Sequence, residues 1–173
     1  NKDDIFNQTA LIIGPSGTPY FGGFYFFDIS FPSNYPNKPP KVYMKTIDGN
    51  VRFNPNLYEN GKVCLSILGT WSGPSWRPIM TLKTILLSIQ SLMNDFPITN
   101  EPGYENTDRN SQINIDYNCY ITFHNYRLAI LDALSSKKSL RIEYKMFKKE
   151  IDKYVNKNIL KLYNNLQSYK MIY

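Results

Sequence analysis

The 173-residue sequence is poor in the side chains that metal, redox and hydrolytic centres usually need. It has two cysteines, Cys64 and Cys119, and one histidine, His124. Two thiols are too few for a disulfide framework, and no Cys/His spacing fits zinc, so no metal is expected. A single Cys64–Cys119 bridge stays open at this stage, because sequence does not establish that the two α-carbons approach. A reducing compartment, the cytoplasm or the nucleus, is the better reading. There is no run of eighteen apolar residues and no signal-peptide pattern, so nothing points to a membrane or to secretion. There is no internal repeat. The first residue is Asn1 and not methionine, as expected of a piece of a longer protein.

What is present is 42% hydrophobic residues with 14 Tyr and 10 Phe, enough for one domain with a sizeable core. The net charge of +6 is unevenly spread. Residues 1–136 carry ten basic and eleven acidic side chains, whereas 137–173 carry ten and three. The basic excess thus belongs to the last stretch, read as a solvated lysine-rich helix face, with docking onto an acidic partner, or weakly onto nucleic acid or lipid headgroups, as the alternative. Basic and aromatic residues do not interleave in the strand-like segments, so no nucleic-acid partner is expected.

The chain divides into short strands and then helices. Residues 10–13 read as a strand, stopped by Gly14-Pro15-Ser16-Gly17. Phe27, Ile29 and Phe31 alternate with Asp28 and Ser30, a period of two that predicts a second strand with one buried face. Residues 42–46 give a third strand. Thr81 opens a helix whose stripe runs through Leu82, Ile85, Leu86, Ile89, Leu92, Met93 and Phe96. Further helices are predicted over 117–134, with Ile121, His124, Leu128 and Leu131 in register, and from Leu140 to about Leu166.

Chemistry concentrates at 53–76, FNPNLYENGKVCLSILGTWSGPSW. Cys64 lies eight residues after Asn56, with the turn Glu59-Asn60-Gly61 between them. A lone thiol in irregular backbone, with a carboxamide folded back beside it, suits acyl transfer through a thioester. Alone, a free cysteine is more often a buried structural one. No base stands next to Cys64 in sequence, which argues against a cysteine hydrolase; that reading would need His124 beside it.

These residues resemble the active site of the ubiquitin-conjugating enzyme family, whose signature is His-Pro-Asn, a short turn, then Cys-Leu-x-Ile-Leu. The likeness runs over about 10–105, with YPNKPPKV, WRP and LLSIQSLM in the family's order. The loop between Leu68 and Trp76 is longer than in the common small members. The resemblance implies an α+β UBC fold, an antiparallel meander packed on a central helix, with additional C-terminal helices. It divides the chain into an N-terminally truncated UBC core at 1–136 and a basic helical extension at 137–173 packed on the same domain. The family's helix before the first strand is absent from this sequence, because only nine residues precede Ala10. On the sheet's other face, away from the central helix, family members can bind ubiquitin non-covalently.

The resemblance also implies roles. Cys64 would take ubiquitin or a ubiquitin-like modifier from an activating enzyme and pass it to a substrate lysine, usually with a ligase. Asn56 would stabilise the oxyanion or hold the loop; removing such a donor typically costs about 2.7–4 kcal/mol of barrier. Asn54 stands where most members have a structural histidine. Glu105 or Asp108 would assist the acceptor amine, the alternative being solvated loop carboxylates. Leu87 and Ser91 fall where donor ubiquitin is held, and Asn37, Pro78 and Ile79 where ligases dock; Asn37 replaces a large apolar anchor. No cofactor is implied, since ATP is used upstream by the activating enzyme. The competing reading is a catalytically inactive UBC-fold module that binds ubiquitin, a class that lacks the cysteine.

Overall fold

The computed structural model describes residues 4–135 and 141–170. Three strands, β1 (Asn7–Ile13), β2 (Phe24–Ser30) and β3 (Lys41–Met44), form an antiparallel meander in the order β1-β2-β3. Leu11 faces Phe26 across the first pair, and Phe27 faces Met44 across the second. Helix α1 (Leu82–Leu92) lies on one side of this sheet. Its start is fixed by Thr81 and Thr84, each side-chain hydroxyl accepting the other's backbone N–H. Ile85, Ile89 and Met93 are fully buried against Tyr25, Phe27 and Ile29 of β2, as the helical stripe requires.

Helix α2 begins at Gln112, five residues before the predicted start, because Ser111 caps it by accepting from Asn114 N–H. It spans Gln112–His124 and continues as a π-helical segment, Asn125–Asp132. That wider winding shifts the register, so Leu131, expected inside, is 61% exposed. The segment is pinned by Asn125, which accepts from Tyr25 Oη at 2.6 Å and donates to Phe21 O at 3.0 Å.

The C-terminal region forms α3 (Arg141–Met146) and α4 (Lys148–Lys170). The expected helix start at Leu140 and the domain boundary at 136/137 lie outside the described residues. Here the structure corrects one expectation. Strand β2 is buried on both faces over Phe24–Phe27, not on one. Its outer face is covered as well: Phe24 and Phe26 pack with Leu11 and Ile13 beneath Tyr144, Phe147, Ile151 and Tyr154. The clue was the unbroken run Phe24-Tyr25-Phe26-Phe27, the pattern of a strand covered on both sides. Farther along, the outer face turns polar, with Thr9 donating to Asp28 at 3.1 Å and Lys45 3.7 Å from the same carboxylate. Helix α4 can come this close because Gly22 has no side chain; a Cβ there would stand 2.3 Å from Leu162. Among the described residues no helix is long and apolar enough to cross a membrane.

Candidate active site

The backbone between Phe53 and Thr70 is held in a sharp reversal. Gly61 makes the turn with φ +86°, and a Cβ there would fall 2.6 Å from Met44 O. Lys62 bridges to Tyr43 of β3, and Val63 to Leu57, which draws the chain past the sheet edge. The reversal brings Asn56 and Cys64 into register as a two-point clamp. Cys64 N–H donates to Asn56 O at 2.9 Å, and Asn56 Nδ2 donates to Cys64 O at 2.9 Å.

Asn56 is 5% exposed, and its Oδ1 is buried without a hydrogen-bond partner. The clamp therefore commits one N–H of the amide to shaping the backbone at Cys64. The structure brings together these two residues, which sequence spacing had already paired. Cys64 itself is only 1% exposed and is a free thiol, as is Cys119. The expectation of reduced cysteines is met, and the single-bridge possibility is not realised.

Asn54 is completely buried and uses its whole amide. Its Nδ2 donates to Leu92 O and to Tyr20 Oη, both at 2.9 Å; its Oδ1 accepts from Asn56 N–H at 3.0 Å. Leu92 O is one of the carbonyls left over at the end of α1, so Asn54 joins the central helix to the cysteine loop.

Thr70 is a site residue that sequence reasoning missed. Its hydroxyl donates to Val63 O at 2.7 Å and accepts from Leu65 N–H at 2.9 Å, bridging the peptides on either side of Cys64. The signal was Gly69, whose left-handed conformation (φ +70°) ends the short 3₁₀ turn Ser66–Leu68 and folds Thr70 back. Arg52 was missed too. It lies over the Tyr58 ring at 4.2 Å and pairs with Glu101 at 3.1 Å, tying the loop after α1 to the cysteine loop.

The remaining candidates are dispersed over the surface. Glu105 is exposed, and hydrogen bonds from its own N–H and that of Gly103 hold its carboxyl below the ordinary value. That keeps it ionised, which suits an electrostatic role better than proton abstraction. Asp108 is exposed and accepts from Asn110 N–H at 2.6 Å. Leu87 and Ser91 lie one turn apart on the exposed side of α1, Leu87 at 52%. Asn37, Pro78 and Ile79 are exposed, and Ile79, at 86%, is the most exposed of the large apolar side chains described. Trp76 joins their two loops by donating from Nε1 to Pro36 O at 2.6 Å. His124 contacts Tyr120, Phe123 and Arg127 and has no partner from the cysteine loop. It is half-buried at the surface, not a core histidine, and the structure gives it no place in a hydrolase pair.

The family model described as Ubiquitin-conjugating enzyme matches residues 1–120. The chain belongs to the ubiquitin-conjugating enzyme family. It is 51% identical to Ubiquitin-conjugating enzyme E2 Z of Xenopus tropicalis over 78% of this chain and 43% of that protein. The Homo sapiens E2 Z is 50% identical over 78% of this chain and 38% of its own length. Probable ubiquitin-conjugating enzyme protein 17 of Caenorhabditis elegans is 48% identical over 72% of this chain and 18% of its own. The chain thus spans less than half the length of these relatives.

Proposed function

We propose that the chain carries ubiquitin or a ubiquitin-like modifier as a thioester on Cys64 and transfers it to a lysine amine. The observation that carries this reading is the clamp between Asn56 and Cys64, which fixes one thiol at the end of a shaped loop within a family fold. In charging, the Cys64 thiolate attacks the thioester carbonyl presented by an activating enzyme. The new C–S bond forms as the activating enzyme's thiolate leaves. In transfer, a lysine amine attacks the same carbonyl, the C–S bond breaks, Cys64 departs as thiolate, and the amine's proton passes to solvent or a nearby base. ATP is consumed upstream, and this chain needs no metal or small-molecule cofactor.

Asn56 acts here by positioning through the N–H it gives to Cys64 O, and its second N–H is left to serve the oxyanion. Because Cys64 is 1% exposed, charging requires local opening around the thiol. Leu87 and Ser91 offer donor modifier an exposed helical surface. Asn37, Pro78 and Ile79 offer a ligase surface, with Ile79 supplying the apolar anchor that Asn37 lacks. The free thiols support a reducing compartment, cytoplasmic or nuclear. No observation favours the non-catalytic module.

The test is charging with activating enzyme, ATP and ubiquitin, followed by non-reducing electrophoresis. A band shifted by one modifier, lost with thiol reductant and absent in Cys64→Ala, is expected. Failure to form it with any available modifier, in this chain and in the full-length protein, would overturn the carrier role.

A further inference from the structure

An apolar groove lies beside the segment that leads into Cys64, and nothing in the transfer chemistry uses it. It has a volume of about 580 Å³ and runs between the proline-rich loop before β3, the edge of β3, and the Lys62-Val63 segment leading into Cys64. Its floor is apolar, made by Pro39, Pro40, Val42, Val63 and Leu68. Lys38, Lys41 and Lys62 stand around it, all three exposed, and no carboxylate lines it. Among the described residues none of these lysines has an ion-pair partner; Lys62 only lies 5.5 Å from the Tyr58 ring. Three of the ten basic side chains in residues 1–136 therefore converge on one apolar trough, in a region whose basic and acidic groups otherwise nearly balance.

Distance along the chain links the trough to the thiol. Lys62 is two residues before Cys64, at most about 7 Å along extended backbone. An extended peptide advances about 3.3 Å per residue. A peptide whose lysine amine reaches Cys64 would therefore bring side chains two to four positions away over Lys62 and Lys41.

We propose that this groove selects substrate, by docking an acidic segment of the target protein that flanks the acceptor lysine. Carboxylates of that segment meet Lys41 and Lys62, and a neighbouring apolar side chain rests on Pro39 and Val42. The assignment rests on the thioester reading above and names the substrate class for it.

Two measurements separate the two ideas. The first is binding alone, by fluorescence anisotropy, of a labelled lysine-containing peptide with two glutamates and of its Glu→Gln counterpart. Exposed charge pairs are individually weak, up to about fivefold each, so the acidic peptide should bind roughly five- to tenfold tighter at low salt. The preference should vanish by about 0.5 M salt. Lys41→Gln should shrink it, and Lys41→Glu with Lys62→Glu should reverse it. The second is single-turnover discharge of the charged protein onto the same peptides, scored as the acidic-to-neutral rate ratio within each variant so that a general loss of activity cancels. Equal binding of the two peptides, or a preference indifferent to Lys41 and Lys62, overturns the groove assignment even if charging succeeds. If charging fails, the carrier role falls, and the binding measurement still decides whether the groove takes acidic peptides.

Discussion

At the scale of residues, the site rests on carboxamides more than on ionisable groups. Asn54 touches the end of α1, the Tyr20 hydroxyl and the Asn56 amide, so its removal orphans several buried polar groups at once. Asn54→Ala should cost about 2–4 kcal/mol of stability, measured by urea unfolding, since each orphaned group costs about 1–3 kcal/mol and relaxation recovers part. A loss under 1 kcal/mol would mean that the histidine-to-asparagine change had left the position idle. Asn56 and Cys64 were legible because their spacing and the Asn-Gly turn are local facts. Thr70 and Arg52 were not: their roles arise from contacts with Val63, Leu65, Tyr58 and Glu101 that exist only after the loop has closed.

At the scale of elements, helix α1 was readable from periodicity, because it buries its stripe in the ordinary way, and the three strands were readable as strands from short apolar runs between turn signals. Two features were not. The π-helical turn at 125–132 depends on Asn125 meeting Tyr25, a hundred residues away, and no local propensity encodes that meeting. The covered outer face of the sheet depends on α4, whose apolar stripe through Ile151 and Tyr154 marks a packed side without naming the surface it packs on. In fact only one side of α4 is solvated. Ile151 is fully buried against Phe24 and Phe26, while Lys149, Lys153, Lys157 and Lys161 are exposed. Ile151→Ala should destabilise the protein by about 2–4 kcal/mol, the range for deleting a buried isoleucine side chain. If equilibrium unfolding of that variant shows no loss, α4 is not bound to the sheet in solution.

At the scale of the whole molecule, stability should fall on acidification, for two reasons of the same sign. Desolvation and the adjacent Arg127 guanidinium lower the His124 pKa below its ordinary value. The unfolded chain then takes up the proton first, so this contribution is complete above about pH 6.5 and is lost as the pH drops through the depressed native value. Partial burial tends to raise the Asp48 pKa, but hydrogen bonds from Arg127, Asn50 N–H and Val51 N–H outweigh it and leave the pKa lowered. Its contribution is present above about pH 3.9 and is lost below. Thermal melts from pH 7 to 3 should show a monotonic decline, and NMR titration of the only histidine should shift upward in Arg127→Ala. An unchanged His124 titration in that variant would exclude the guanidinium as a cause. The packing of α4 on the sheet also has a consequence in time. During synthesis the aromatic face of Phe24 and Phe26 emerges more than a hundred residues before Ile151, which is roughly 6–25 s at ribosomal speeds of about 5–20 residues per second. For that interval the nascent sheet shows bare aromatic surface, so chaperone demand should be set by how late its cover arrives.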